Sequence, residues 1–286
     1  MTLPSTMVLV TGMTGAGRGT AAKTLENLGF YVVDNLPAPL LLDTVRTVGA
    51  AGMSRLAVVA DARSGEFFSP LVDALEQLRH EGLHAKVLYL EASDEVLVRR
   101  QEAARRPHPL SREGRLMDGF DRERELLRRV RGRADLVVDT TNLNTHQLAR
   151  RVRAAFEDVD TDGLRASVMS FGFKYGIPID ADMVADMRFL PNPFWDPELR
   201  PLSGLDEAVA ISVLAHESAH QFLDRYEELV ALLTDGFLHE DKRFLSIAIG
   251  CTGGRHRSVA MAEAFAERLR SHDVRTLVVH RDLGRE

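Results

Sequence analysis

Met7-Val8-Leu9-Val10-Thr11-Gly12-Met13-Thr14-Gly15-Ala16-Gly17-Arg18-Gly19-Thr20 runs an apolar strand into a glycine-rich turn. A helical pattern follows to Leu28, where Gly29 closes it. A strand that turns tightly into a helix aims backbone N–H groups and the positive end of a helix dipole at one point. Anions collect there, and glycine lets the backbone approach them closely. The spacing from Gly12 to Gly17 fits the phosphate loop Gly-x-x-x-x-Gly-Lys-Ser/Thr, with Arg18 in place of the lysine and Gly19 in place of the hydroxyl residue. Arginine keeps the charge but is wider and planar. Gly19 has no oxygen to offer magnesium, although Thr20 is adjacent. Phosphate binding is therefore expected to survive better than hydrolysis. Two other readings stay open. Gly15-x-Gly17-x-x-Thr20 approximates a dinucleotide fingerprint, with Asp34 about 20 residues on, and a glycine cluster can serve turn packing with no ligand.

Working outward, strands are expected at 30–33, 56–59, 86–90 and 136–138, alternating with helical patterns. Ser69-Pro70 opens one helix that Gly82 stops after about His80, Ser93 caps another, and Asn144 starts a third that runs to about Phe156. Such alternation implies a parallel sheet with helices on both faces. The polar stretch 158–163 marks a domain boundary, giving a domain 1–158 and a smaller α/β domain 164–286. Strands are expected there at 166–171, 187–190, 244–249 and 276–279, with a long helix over 205–233 and another after Ser258. Prolines crowd 178–201, which suggests a rigid, irregular connection.

Asp34, Asp61 and Asp139 each end an expected strand, where an open parallel sheet places its ligand crevice. Asp61 is the candidate for holding magnesium through water; a turn or cap role is the alternative for any of the three. Arg99, Arg100, Arg105 and Arg106 lie before Pro107-His108-Pro109. They could close over a phosphate, or form a solvated basic face.

A second glycine-rich turn, Gly250-Cys251-Thr252-Gly253-Gly254-Arg255-His256-Arg257-Ser258, again joins an apolar run to a helical pattern. Its Cys-x5-Arg spacing has three readings: a phosphate cradle, a cysteine-dependent phosphatase, or a structural turn around a small buried thiol. A phosphatase needs a general acid, and Asp182, Asp186 and Asp282 could supply one only by folding. His216-Glu217-Ser218-Ala219-His220 fits a zinc-helix pattern, with Glu240 as a possible third ligand and Gly236 as a break in the helix. A solvated helix face accounts for it more simply, and no metal site is expected.

The chain has 286 residues, a net charge of -6 and a single cysteine. Its length suits two domains, its charge gives no general pull towards nucleic acid, and its cysteine usage suits a reducing compartment. No basic leader and no apolar run near ~20 residues is present. A cytoplasmic protein is expected.

Several motifs occur together: Gly12-x-x-Gly-x-Gly-Arg, Val33-Asp34-Asn35-Leu36-Pro37, Asp61-Ala62-Arg63-Ser64 and Arg106-Pro107-His108-Pro109-Leu110. Ser170-Phe171-Gly172-Phe173-Lys174-Tyr175-Gly176, Arg188-Phe189-Leu190-Pro191-Asn192-Pro193 and the Cys251 turn follow. The series resembles the RapZ/YvcJ family of bacterial nucleotide-binding proteins over essentially the whole chain. The resemblance implies an N-terminal P-loop domain with ATPase and GTPase activity. Gly12, Met13, Thr14, Gly15, Ala16, Gly17, Arg18 and Gly19 would be its ATP loop, and Asp61, Ala62, Arg63 and Ser64 a GTP-associated element. It also implies a C-terminal sugar-phosphate module, with Cys251, Thr252, Gly253, His256 and Arg257 matching its cradle. Some members sense glucosamine-6-phosphate, and some bind small RNA for a ribonuclease. Three departures stand out. Arg18-Gly19 replaces Lys-Ser, Phe194 replaces a histidine, and the tail 280–286 lacks the basic run of RNA-delivering members, so RNA binding is expected to be weak or absent.

The combined expectation is a P-loop NTPase/kinase-like α/β protein that binds and slowly hydrolyses ATP and GTP. Magnesium enters with the nucleotide, and Arg18 and Asp61 are the catalytic candidates. A phosphometabolite occupies the second loop, and the chain forms a homo-oligomer. The alternative is a non-hydrolysing metabolite sensor or RNA adapter.

Overall fold

The computed structural model describes residues 3–60, 70–105, 108–111, 115–157, 163–240 and 242–285. The chain divides into two compact units, Met1–Thr161 and Asp162–Glu286.

In the first unit the order is β1 (Thr6–Gly12), α1 (Arg18–Asn27), β2 (Tyr31–Val33), α2 (Leu41–Ala50), β3 (Arg55–Val59), α3 (Pro70–His80), β4 (Lys86–Glu91), α4 (Asp94–Ala104), α5 (Leu116–Arg131), β5 (Leu136–Asp139) and α6 (Thr145–Phe156). The strands form one parallel sheet in the order β2-β3-β1-β4-β5. Successive side chains of a strand point to opposite faces, yet every residue of β1 is buried, so both faces of the sheet are covered there. After β1 the chain leaves towards β2, whereas after β4 it leaves towards β5. The two connections diverge between neighbouring strands, which opens a crevice at their carboxyl ends. Gly12 sits at that point, paired with Leu90, and the Met13 N–H donates to the Leu90 carbonyl at 2.9 Å.

Local chemistry explains most boundaries. Asn144 and Gln147 form a reciprocal cap at the start of α6, both bonds 2.9 Å. Gly29 and Gly82, both with positive φ, follow α1 and α3. Ser93 precedes α4 in an extended conformation, but its side chain makes no capping bond. Ser69, where a cap is expected, lies outside the described residues. Two helices were not anticipated. In α2, Thr44, Val45, Thr47 and Val48 are weak helix formers whose propensity is overridden by burial of Leu41, Val45 and Val48. In α5, dense charge hides the buried stripe Phe120, Glu123, Leu127 and Val130.

The second unit runs β6 (Arg165–Gly172), β7 (Met183–Asp186), α7 (Glu207–Leu214), α8 (Glu217–His239), β8 (Phe244–Cys251), α9 (Arg257–Ser271) and β9 (Arg275–His280). Its sheet is also parallel, in the order β7-β8-β6-β9. After β6 the chain passes β8 to reach β7, and after β8 it passes β6 to reach β9, so the connections of these two neighbours run in opposite directions past each other. Val168, Ile247 and Ile249 pack with Val209, Leu223 and Phe265 in one core.

Three expectations need correction here. The strand lies at 183–186 rather than 187–190: Asp182 bonds Ser246 at its start, and Pro191 and Pro193 could not donate to a ladder. The long helix is two helices, because His216 is extended and caps α8 with its carbonyl. Gly236 does not break α8. Glycine costs a helix about 1 kcal/mol, and Phe237 and Leu238 beyond it pack against the core.

Gly12 has φ +133°, and a Cβ there would lie 2.0 Å from the Leu90 carbonyl oxygen. Gly12→Ala should therefore lower unfolding stability by about 3 kcal/mol, read by denaturant titration; an unchanged midpoint would mean that β1 and β4 do not approach this closely.

Candidate functional site

The turn 13–17 leaves β1 at the crevice and delivers the chain to α1, with Gly17 as a left-handed N-cap at φ 104°. A Cβ on Gly17 would meet Leu148 at 2.6 Å, so α6 presses directly on the loop. Every loop carbonyl or amide turned into the protein needs a partner there. The Ala16 N–H donates to the Met13 carbonyl at 3.0 Å. The carbonyls of Gly15 and Ala16 accept from Arg100 and Thr140 at 3.1 and 3.0 Å. By contrast, the amides of Gly15, Gly17 and Gly19 have no acceptor among the described residues. Three neighbouring N–H groups at the positive end of α1 are the donor arrangement that favours an anion.

Thr14 is held from α5. Its N–H and hydroxyl donate to the two oxygens of Glu123 at 2.9 and 2.7 Å. Glu123 is almost wholly buried and also meets His108 Nε2 at 3.2 Å. Because the Leu110 N–H donates to His108 Nδ1, the ring proton sits on Nε2 and points at the carboxylate. Gly119 makes room for this ring, since a Cβ there would lie 2.6 Å from it. Sequence reasoning did not single out Glu123. A carboxylate on the buried stripe of an otherwise amphipathic helix is the signal that could have found it. Arg18 is buried on the first turn of α1, its Nη2 3.5 Å from the Thr14 hydroxyl.

Other candidates distribute unevenly. Asp61, Ala62, Arg63 and Ser64 lie outside the described residues, as does Arg106. Asp34 is exposed at the end of β2, and Asp139 accepts from the Thr141 N–H, which is a turn-forming role. Arg99 and Arg105 are exposed. Arg100 does not close over a phosphate: its guanidinium is spent on Gly15, Thr140 and Leu143.

The second loop leaves the carboxyl end of β8, beside that of its neighbour β6. Its amides at Gly253, Arg257 and Ser258 have no acceptor among the described residues. The Cys251 thiol is buried, accepting from the Gly254 N–H at 3.3 Å and lying 3.1 Å from the Ser258 hydroxyl. Arg257 binds the carbonyls of Arg188 and Leu190 at 3.2 and 2.9 Å and the Thr252 hydroxyl at 3.3 Å. It thus straps the turn after β7 against the loop, and its buried Nε has no partner among the described residues. His256 reaches the Arg200 carbonyl at 3.3 Å. Of the five residues expected in this cradle, Arg257 meets Thr252, Cys251 bonds within the loop, and His256 turns to the Arg200 carbonyl.

The three aspartates considered as general acids are all committed elsewhere. Asp182 binds Lys242 and the Ser246 N–H. Asp186 is held below the usual carboxylate range by a two-pronged pair with Arg188. Burial pushes Asp282 up, but Arg281, the Gly172 N–H and Arg285 together outweigh it and leave the carboxyl below its ordinary value. The zinc-like pattern also fails as a helix face, because His216 is the cap of α8 and only His220 lies on the helix.

Two parallel sheets, each with a glycine-rich loop at the carboxyl end of an inner strand, define a two-unit α/β protein with a P-loop topology in its first half. Family models agree with that division. The RapZ-like N-terminal domain matches residues 5–160, and the RapZ C-terminal domain matches 164–284. A protein of Nocardioides sp. named nucleotide-binding protein is 59% identical over 285 residues, covering 99% of this chain and 94% of that one. One of the same name from Thermobifida fusca is 55% identical over 285 residues, covering 98% and 96%. The chain belongs to the RapZ family. Among solved structures, shikimate kinase from Bacteroides thetaiotaomicron matches 55% of this chain at 17% identity with a TM-score of 0.41. The fold assignment rests on strand order instead. Among the described residues no helix is long and apolar enough to cross a membrane.

Asp282 has no exposed surface and accepts from the Gly172 N–H at 2.8 Å, beside the second loop. Its depressed value means that its stabilisation is complete above the unfolded carboxyl's pKa of about 4 and is lost as pH falls through the folded value. Asp282→Asn should therefore cost about 2 kcal/mol at pH 7. Thermal melts against pH should show its gap from wild type closing as the medium is acidified below about pH 4.

Proposed function

We propose that the N-terminal loop binds ATP and GTP and hydrolyses them slowly, with water as the attacking group. The observation that carries this reading is the set of unaccepted amides at Gly15, Gly17 and Gly19, set at the start of α1 beside the buried cation Arg18. Such an array complements a polyphosphate, and family membership with relatives named nucleotide-binding proteins supports the same ligand class. Arg18 would neutralise phosphate charge in place of the usual lysine.

Magnesium would come in with the nucleotide. The ion takes oxygen ligands and draws many of them from phosphate and water. Among the described residues no group of three or more His, Cys, Asp or Glu could hold a metal, so the phosphates would supply much of its shell. The chain offers Thr20, on the first turn of α1, for the hydroxyl that Gly19 lacks, and Asp61 for a carboxylate. Asp61, Ala62, Arg63 and Ser64 remain the proposed GTP-associated element.

The second loop would cradle a phosphorylated sugar. Unaccepted amides at Gly253, Arg257 and Ser258, with the Arg257 guanidinium against Thr252, favour a phosphate there. The thiol of Cys251 serves the loop's internal bonding, and with each candidate acid already paired a cradle is preferred to a phosphatase.

One feature favours a second reading, a sensor that binds nucleotide without turnover: Gly19 brings no side chain to the position where a hydroxyl would assist hydrolysis. Phosphate release by purified protein separates the two. Wild type should turn over slowly, and Arg18→Ala should fall at least tenfold, the scale of losing one charged phosphate contact. Equal rates in both would remove this loop from the chemistry, and nucleotide binding with no release would establish the sensor. For the second loop, titration calorimetry should record heat on adding glucosamine-6-phosphate to wild type and none with Arg257→Ala; a silent wild type would discard the sugar phosphate.

A further inference from the structure

The helix α4 carries an arginine that sequence reasoning would place over the nucleotide, yet the structure turns it to the loop's own backbone. Arg100 Nη1 lies 3.1 Å from the Gly15 carbonyl and 2.9 Å from the Thr140 hydroxyl. Its Nη2 lies 2.8 Å from the Thr140 carbonyl and 3.4 Å from that of Leu143. The Thr140 hydroxyl, at the end of β5, directs its single proton between the carbonyls of Ala16 and Glu91, at 3.0 and 3.1 Å. Thr140 and Ala16 are both buried, so an Ala16 carbonyl turned from the Thr140 hydroxyl would lose its bond with little water to replace it.

The consequence follows from peptide geometry. A trans peptide points its C=O and the next N–H in opposite directions. With the Gly15 carbonyl drawn to Arg100, the Ala16 N–H is directed the other way, and it meets the Met13 carbonyl. With the Ala16 carbonyl drawn to Thr140, the Gly17 N–H is directed away from Thr140, and no described residue accepts it.

We propose that Arg100 and Thr140 are positioning residues of the phosphate loop, fixing the Ala16–Gly17 peptide plane so that the Gly17 N–H meets the phosphate of a bound nucleotide. The proposal rests on the reading of this loop as a nucleotide site. Neither residue touches the nucleotide. They act before it arrives, by holding the amide in the orientation that binding would otherwise have to purchase with ordering of the loop. Lysine could not replace Arg100, because one ammonium cannot span carbonyls on two separate turns as the planar fork does. The Thr140 hydroxyl is the more incisive target, since valine keeps its shape and removes only the hydrogen bonds.

The test uses full-length wild type, Thr140→Val, Thr140→Ser and Arg100→Gln, with ATP and magnesium. Thr140→Val should bind ATP about tenfold more weakly, the loss expected for one misdirected amide–phosphate bond. Thr140→Ser should restore wild-type affinity. Arg100→Gln should weaken binding at least as much as Thr140→Val. In amide NMR spectra, ATP should shift the Gly17 N–H of wild type and of Thr140→Ser downfield and leave that of Thr140→Val in place. A merely structural role would lower melting temperature without moving either reading. If Thr140→Val binds ATP as wild type does while Arg18→Ala does not, the positioning role is overturned and the nucleotide site stands. If wild type binds neither ATP nor GTP, the nucleotide reading falls and this proposal with it.

Discussion

Backbone polar groups that leave a sheet edge must find partners, and a peptide can turn only one of its two groups inward at a time. That constraint shapes both loops of this protein. At the end of β1, side chains from α4, β5 and α5 take up inward-facing groups of the loop, and amides of Gly15, Gly17 and Gly19 are left without protein partners. The unaccepted amides are what remains once the inward groups are paired, and the glycines are needed where the chain turns through positive φ or passes close to Leu90 and Leu148.

The same solution recurs in the second unit with different parts. There Asp282 takes the Gly172 N–H, the Cys251 thiol takes that of Gly254, and Arg257 collects two carbonyls from the turn after β7. Buried charge is the common device. Glu123 and Asp282 each sit among several hydrogen-bond donors, which is the condition under which a polar group is tolerated away from water. In each unit the loop leaves the carboxyl end of an inner strand whose neighbour's connection runs the opposite way, so parallel topology supplies the place and side chains supply the polarity.

Much of the fold was legible along the chain. Strands ending at acids or glycines, a cap at Asn144 and stop glycines at Gly29 and Gly82 are signals written within a few residues of each other. Where local signals conflicted with tertiary contacts, the contacts won: β-branched α2 is a helix because it is buried, Gly236 is crossed by α8, and the strand near 187 starts earlier because Asp182 bonds Ser246. The family resemblance carried by the motifs was confirmed over both halves of the chain.

The sequence by itself determined where the loops are, because glycine spacing and strand-to-helix handover are properties of consecutive residues. It also brought Cys251 and Arg257 together, since both belong to one turn. Only the tertiary structure decided what serves each loop. Glu123 reaches Thr14 across 109 positions, Arg100 reaches Gly15 across 85, and Thr140 reaches Ala16 across 124. No local pattern encodes such pairings. Hydrogen bonds require atoms within about 3 Å, and which distant side chains meet that condition is fixed only when the strands have taken their order in the sheet.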